Sequence, residues 1–180
     1  SNTEFSKKGR ENMIALLKDL RNIGINDLTI ALPSAMEIAL ECFPDMNVKA
    51  SAICEINSVY KAEFYKALGV SRIVIDPDIV RDFELLKRIY DVFGEGIEVI
   101  VTNTCMRNCP YKMFHYNNSA HGGDSTEDTD VKEYYEYRCF YQTAGKPHYI
   151  LNTNWVRPED IHLYSNIGVS HYKIDGRSHI

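Results

Sequence analysis

The stretch "SRIVIDPDIVRDFELLKRIYDVFGEGIEVIVT", residues 71–102, decides the fold. It opens with an apolar run, residues 71–76, that predicts a buried strand. A helical pattern follows, with Pro77 in its first turn and Gly94 at its end. A second apolar run, residues 96–102, predicts another buried strand. Since strand, helix and strand follow one another at these lengths, the stretch predicts two parallel strands joined by a helical crossover.

The same alternation extends on both sides of this unit. The predicted strands are short, continuously apolar runs, and they cover residues 27–32, 47–53, 71–76, 96–102, 147–152 and 168–175. Helical patterns separate most of them, which predicts an α/β protein with a parallel sheet covered on both faces. An open doubly wound sheet and a (β/α) barrel both fit this order. A complete barrel would need about eight strands, so two would be missing.

The overall composition is that of one globular domain and excludes several function classes. The chain has 180 residues and a net charge of −5, without a basic stripe, which gives no support to nucleic-acid binding through phosphate neutralisation. No apolar run reaches the roughly 18 residues of a transmembrane helix, and no signal-peptide core is present, so we expect a cytoplasmic protein. Glycine-rich nucleotide loops and the nucleophile elbow of serine hydrolases do not occur.

Residues 103–146 form a long polar segment, which we call the rim insertion. Cys105 and Cys109 follow the fourth predicted strand, and parallel folds place their functional groups at such carboxyl ends. Two thiolates at this spacing can bind one zinc ion or an iron–sulfur cluster. Cys139 is a candidate third ligand, and Cys54, after the second predicted strand, a candidate fourth. The simpler alternative is a loop with cysteines that bind nothing.

Other polar side chains are expected at the same rim. The candidates for substrate binding follow strand ends or lie in the rim insertion, and they are Asn103, His115, His121, Asn152, Lys173, Asp175 and Arg177. The two histidines could instead complete a zinc site with Cys105 and Cys109, or lie in a polar loop without a ligand. The charged residues near the last strand could bind a carboxylate or phosphate, or form salt bridges that close the sheet. The aromatic run "EYYEYRCFY" either fixes the insertion on the rim or shields a bound group.

Four stretches carry a resemblance to a known family. They are "CFPDMNVKASAICEINS" (42–58), "KALGVSRIVIDPDI" (66–79), "GIEVIVTNTC" (96–105) and "GVSHYKIDGR" (168–177), of which the last is the most specific. Together they resemble peptidase family U32, the collagenase-like proteases. The resemblance implies a single domain over residues 1–180, folded as an incomplete TIM-like barrel of about six strands. It also implies a chain that begins after the first two barrel strands, and therefore a fragment or truncated form.

The resemblance implies a cofactor as well. Several proteins of this kind resemble iron–sulfur proteins that hydroxylate ubiquinone precursors or ribosomal RNA without oxygen, and four cysteines hold their 4Fe–4S cluster. Cys105 matches the family's cysteine at the strand end, Cys109 its neighbour, and Cys139 the cysteine after the insertion. The family's fourth cysteine has no counterpart here, and Cys54 is the expected substitute.

Three functions follow as expectations. The first is an iron–sulfur protein of the hydroxylating type, with zinc as the alternative metal, acting on a peptide, an RNA or a small aromatic precursor. The second is a metal- or cysteine-dependent peptidase in which Cys105 is the nucleophile and a histidine the base. The third is a non-enzymatic module whose open sheet edges pair with the rest of a barrel or with a second copy of the chain. A membrane partner is not expected.

Overall fold

A computed structural model describes residues 6–121 and 132–175 of the chain. Within them, five strands form one parallel sheet in the order β1-β2-β3-β4-β5. The strands are β1 (Asp27–Ile30), β2 (Asn47–Ala50), β3 (Arg72–Val74), β4 (Ile97–Ile100) and β5 (His171–Lys173). Because every neighbouring pair is parallel, all carboxyl ends lie at the same rim of the sheet.

Helices connect the strands. The α-helices are α1 (Lys7–Asn22), α2 (Pro33–Cys42), α3 (Val59–Leu68), α4 (Phe83–Phe93), α5 (Lys112–His121), α6 (Lys132–Gly145) and α7 (Ile161–Ser165). Short 3-10 helices cover Ala52–Cys54, Pro77–Ile79, Pro147–Asn152 and Pro158–Asp160. In the part of the chain that the structure describes, no helix combines the length and hydropathy needed to cross a bilayer.

The main core lies between the sheet and its crossover helices. Ile73 of β3 stands opposite Ile97 of β4, and both are almost fully buried together with Val99. On the helix side, Leu86 and Ile89 of α4 belong to the same hydrophobic cluster. Burying side chains of this size contributes about 1.5–3 kcal/mol each, so this β–α–β unit is the stable centre of the fold.

The other face of the sheet carries charge. Along β4, Glu98 alternates with Ile97 and Val99, so its side chain points to the opposite face. That carboxylate is 5% exposed and accepts both of its hydrogen bonds from Lys49 Nζ, at 3.0 and 3.1 Å. The Arg72 guanidinium lies 3.5 Å away. Pairing with two cations offsets the cost of burying this carboxylate inside the curved sheet.

Two sequence predictions are wrong in detail. Residues 147–152 do not form a strand but the 3-10 helix Pro147–Asn152. A short, mostly apolar segment of six residues is compatible with a strand and with a short helix. Pro147 fits the first turn of a helix but lacks the N–H that the hydrogen bonds of a β-sheet need. The rim insertion, in which the sequence patterns predicted no helix, contains α5 and α6. The other five predicted strands are confirmed, each shorter than its apolar run.

One glycine ties α4 to the sheet by a close approach. Gly96 has φ +97°, and an added Cβ there would lie 2.5 Å from the backbone oxygen of Ser71. Gly69, which ends α3, has a similar φ of +94°, yet the nearest atom to its Cβ would be 4.0 Å away. The two positions therefore share the cost of left-handed backbone and differ in the space available.

We expect Gly96→Ala to destabilise the protein more than Gly69→Ala. Left-handed backbone should cost either variant about 1–2 kcal/mol, and overlap with backbone should add roughly 1–3 kcal/mol at Gly96 alone. Urea denaturation of both variants measures the difference. Equal losses of stability in the two variants would show that the Ser71 backbone moves away from the added Cβ without an energetic cost.

Candidate functional site

Three of the four predicted ligand cysteines line one cavity at the carboxyl rim of the sheet. The cavity has a volume of about 840 Å³, and Cys105, Cys109 and Cys139 lie in its wall. The first two belong to the segment that leaves β4, and the third belongs to α6. Residues 34 positions apart in sequence are thus brought together by the rim insertion, which folds back over the strand end.

Buried asparagines hold the segment around Cys105. The side-chain oxygen of Asn103, a residue 5% exposed, accepts a hydrogen bond from the backbone N–H of Cys105 at 3.1 Å. The Cys105 carbonyl accepts one from the backbone N–H of Asn154 at 3.2 Å. Asn103, a predicted substrate-binding residue, thus orders the backbone that presents Cys105.

The three thiols lie close enough to influence one another's protonation. Burial raises the pKa of Cys105 to about 11, and Cys109 and Cys139 add to the rise because thiolates repel one another. Burial and Cys109 likewise raise the pKa of Cys139. At neutral pH Cys105 and Cys139 are therefore protonated, and a metal would have to displace their protons on binding.

The described residues show no preformed metal centre. Over residues 6–121 and 132–175, no group of three or more histidine, cysteine, aspartate and glutamate side chains is arranged to hold a metal ion. The cysteines share a cavity wall without converging on one point.

Cys54 lies apart from this cavity. Its thiol donates to the backbone oxygen of Ala31 at 3.2 Å, and Tyr65 is a further hydrogen-bond partner. Burial raises its pKa. The structure therefore does not bring the predicted fourth ligand together with the other three, because the strand end of β2 points Cys54 toward β1.

Lys112, at the start of α5, lies in the same cavity wall and is held by carboxylates of the rim. Its Nζ donates to Asp76 Oδ1 at 3.0 Å and to Asp78 Oδ2 at 2.6 Å. Glu55 Oε1 is 3.5 Å away. All four groups belong to segments that follow strands β2, β3 and β4, and the Asp76 and Lys112 side chains are 3% and 9% exposed. We call them the rim ion cluster.

Two residues with left-handed backbone support the rim ion cluster. Glu55 has φ 48° and Asn108 has φ 55°, and these are the two non-glycine residues with positive φ among those described. The backbone N–H of Asn108 donates to Asp78 Oδ1 at 3.0 Å. The same oxygen accepts a hydrogen bond from the side chain of Asn154 at 2.8 Å. Backbone conformations of this cost persist where the surroundings enforce them, often at functional sites.

Charge and hydrogen bonding reinforce the cluster. Burial on its own would raise the pKa of Asp78, but hydrogen bonds from Lys112, Asn108 and Asn154 outweigh it and lower that pKa. Burial would lower the pKa of Lys112, and the two aspartates reverse this and raise it. Sequence reasoning missed Lys112 and Asp78. The pairing spans 34 residues or more, which no local pattern reveals.

The remaining predicted residues are dispersed. His115 lines the cysteine cavity, while the side chain of His121 and the whole of Arg177 lie outside the described residues. Asn152 is exposed, and its backbone oxygen accepts a hydrogen bond from Arg107. Lys173 and Asp175 contribute backbone hydrogen bonds to Val101 and Thr102, respectively, which join the ends of β5 and β4.

Comparison with known proteins identifies the family of this chain. The sequence profile described as "Peptidase family U32" matches residues 1–179. The chain belongs to peptidase family U32. The resemblance seen in four stretches of sequence is thereby confirmed, and it extends over the whole chain.

Two relatives of this U32 chain place it within the family. It is 27% identical over 175 residues to a protein of Methanocaldococcus jannaschii described as "Uncharacterized protease MJ1657", which covers 97% of this chain and 52% of the relative. The solved structure of the U32 peptidase Mk0906 matches with a TM-score of 0.66 at 17% identity, over 95% of this chain and 63% of that one. The chain thus spans about half the length of its curated relative. The fold agrees with an incomplete TIM-like barrel, as predicted.

The first test in this U32 chain concerns the rim ion cluster. Lys112→Met would leave Asp76 and Asp78 buried without their cation, and such a loss costs about 3–5 kcal/mol. The matched control is Arg21→Met, because the Arg21–Asp45 pair is half exposed and should contribute no more than about 1 kcal/mol. Chemical denaturation at neutral pH compares the two. A similar small loss in both variants would contradict a structural role for Lys112.

The pH dependence of that difference is a second test. In the wild type the pKa of Asp78 is lowered, so its stabilising contribution is present above the unfolded value of about 3.9 and is lost as the pH falls through the folded value. Without Lys112, protonation of Asp78 relieves an unpaired buried charge, so the variant loses less stability than the wild type as the pH falls. We expect the stability gap between wild type and Lys112→Met to narrow as the pH is lowered below 4. A difference in stability that stays constant with pH would show that the stability lost in Lys112→Met does not come from the buried carboxylates.

Proposed function

We propose that this U32 protein binds a metal centre through Cys105, Cys109 and Cys139, with a 4Fe–4S cluster as the group and zinc as the alternative. The observation that carries the proposal is the presence of three cysteines from two segments in the wall of one cavity. Thiolates are the ligands that iron–sulfur clusters and zinc share. A chance pair of loop cysteines would not be expected to meet a third one across 30 residues.

Cysteine thiolates are suitable ligands for an iron–sulfur cluster or zinc, but the cysteines must move closer together to bind one metal centre. Because the cysteines do not converge in the described structure, binding requires their segments to close around the metal. Lys112 favours this step, since its positive charge lowers the pKa of Cys105 against the effect of burial. A fourth ligand is needed for a cluster of the usual kind. The His115 imidazole lines the same cavity and is the candidate.

The reaction belongs to the same proposal. A bound cluster would supply one-electron transfer. Oxygen-independent hydroxylation replaces a C–H bond by C–OH with the oxygen of water, and it releases two protons and two electrons, which the cluster would pass to an external electron acceptor. The chain's own residues would form the surrounding pocket: α6 and Trp155 reduce access of water, and the rim ion cluster fixes α5 at the cavity mouth. A cytoplasmic location, where thiols stay reduced, accords with this use of cysteine.

Anaerobic treatment with iron and sulfide tests the proposal. We expect the wild type to take up iron and to gain the broad visible absorption of an iron–sulfur cluster. Cys105→Ala, Cys109→Ala and Cys139→Ala should each lose most of the iron per chain, because each removes one thiolate. Elemental analysis of the protein as isolated separates iron from zinc.

Two further cysteines supply the controls for this experiment. Cys42 is exposed at the end of α2, and Cys54 is bound to backbone oxygens away from the cavity. Cys42→Ala and Cys54→Ala should therefore bind as much metal as the wild type. A loss of bound metal in Cys54→Ala would show that Cys54 is a ligand after all. Metal uptake that survives Cys105→Ala would refute the proposed site.

Hydrolysis of peptides is the second candidate function. It is favoured by the family's description as peptidases and by the presence of Cys105 and His115 in one cavity. A nucleophilic cysteine needs a low pKa, however, and burial raises that of Cys105 to about 11. This chemistry therefore demands that a substrate or a conformational change first expose the thiol.

Incubation with gelatin and casein decides between the two functions. If the metal proposal is right, we expect no cleavage that depends on Cys105, with or without iron. Cleavage abolished by both Cys105→Ala and His115→Ala, in protein shown to be folded, would establish the peptidase instead. Cleavage that persists in both variants would point to a contaminating protease.

A further inference from the structure

One side of α6 carries an exposed row of aromatic side chains. Tyr134, Tyr137 and Tyr141 are 53%, 54% and 69% exposed, and together with Arg138 and Gln142 they line one groove along the helix. The ring centroids of Tyr137 and Tyr141 are 6.5 Å apart, so these two rings share a side of α6. Exposed rings in such a row mark interaction surfaces, where tyrosine and arginine are enriched. We call Tyr134, Tyr137, Arg138 and Tyr141 the tyrosine stripe.

The tyrosine stripe faces away from the cysteine cavity. Cys139 and Thr143 of α6 line that cavity. In a helix of about 3.6 residues per turn, these two positions lie on the opposite side from positions 134 and 141. A partner bound to the stripe would therefore leave the cavity open, and the surface is independent of the metal proposal.

The spacing of the tyrosine stripe is symmetric about the midpoint between Tyr137 and Arg138. Tyr134 lies three positions before Tyr137, and Tyr141 lies three positions after Arg138. When a second α6 lies antiparallel across this midpoint, Tyr134 of each copy meets Tyr141 of the other, and Tyr137 meets Arg138. Twofold dimers need such a self-complementary surface, because every contact occurs twice. Antiparallel helices also have opposed dipoles, which favours their pairing.

The central contact of this arrangement pairs a cation with an aromatic ring. The Arg138 guanidinium carbon lies 4.8 Å from the ring centroid of Tyr111 in its own chain. A planar guanidinium stacks on rings and has two faces, so its second face can cover Tyr137 of a second copy. The twofold axis produces this contact twice, and it places each guanidinium against a ring instead of against the other guanidinium.

The exposed area sets the expected strength of the interaction. Since an aromatic side chain carries about 200 Å² of surface, the three tyrosines of one copy expose about 350 Å². Two copies would bury about 700 Å² of ring surface, and Arg138 with Gln142 would bring the total near the roughly 1,000 Å² at which specific interfaces begin. A reversible dimer with a dissociation constant of roughly 10–100 μM is therefore expected.

We propose that the tyrosine stripe binds a second copy of this chain, with the two α6 helices antiparallel about a twofold axis between Tyr137 and Arg138. A second copy fits this surface because the stripe supplies both members of every contact. The rings are also uncharged, which limits repulsion between two chains that each carry a net charge of −5. The proposal goes beyond the proposed function and requires no metal.

Sedimentation velocity of the whole chain over about 5–500 μM tests the proposal. We expect the mean mass of the wild type to rise with concentration from that of a monomer toward that of a dimer. Tyr134→Glu and Tyr141→Lys should each weaken association at least about tenfold, because each replaces a contact between two rings. The control is Tyr60→Glu on α3, a ring 76% exposed outside the stripe, which should associate like the wild type.

A variant with both stripe substitutions tests the antiparallel register. In an antiparallel pair, the new glutamate of Tyr134→Glu lies opposite the new lysine of Tyr141→Lys at both ends, so the double variant should associate more strongly than either single variant. In a parallel pair, like charges would meet at both ends, and the double variant would associate most weakly of all. That second result would refute the proposed arrangement. Far-UV circular dichroism checks that each variant is folded.

The other outcomes are equally decisive and stay separate from metal binding. A wild type that is monomeric at every concentration would overturn the proposal and leave the tyrosine stripe to an unrelated partner. A dimer retained by both single variants would also overturn it, because another surface would then hold the two copies together. Cys139→Ala, which should lose iron, should dimerise like the wild type, so failure of one proposal leaves the other intact.

Discussion

One ammonium group connects the rim insertion to the sheet. Lys112 begins α5, while Asp76 and Asp78 follow β3, and their hydrogen bonds of 3.0 and 2.6 Å lie largely out of water. The desolvation cost of one buried lysine and several carboxylates is offset only because each group pairs with an opposite charge or accepts a hydrogen bond. Since Cys109 and Cys105 lie only three and seven residues before Lys112 in the chain, the position of the cysteine cavity depends on this cluster.

The parallel sheet explains why such a cluster can form at all. Residues after β2, β3 and β4 are distant in sequence but emerge at the same rim, so Glu55, Asp76 and the cysteine segment become neighbours. The buried apolar unit of β3, α4 and β4 supplies the stability that the charged rim lacks. The apolar core that stabilises the fold and the rim that carries the polar groups thus lie in different parts of the barrel-like architecture.

Sequence reasoning succeeded where the physical signal was local. Apolar runs and glycine stops gave the strands and the helix ends, because burial on both faces dictates continuous apolar residues. It failed at residues 147–152, where six apolar and polar residues fit a 3-10 helix as well as a strand. It also failed in the rim insertion, because α5 and α6 have no strong apolar periodicity. The site shows the same division: cysteines after β4 were identified from their position, whereas the partners of Lys112 depend on tertiary contacts.

We propose the cysteine cavity of this U32 protein as a metal site. Aromatic side chains and the carboxylate-paired Lys112 line the same cavity as the three cysteines. A crystal structure of anaerobically prepared, iron-treated protein, with anomalous scattering recorded at the iron edge, tests this most directly. The account predicts an anomalous peak within bonding distance of the sulfurs of Cys105, Cys109 and Cys139. Iron located elsewhere, or a cavity without iron in protein that contains it, would contradict the account.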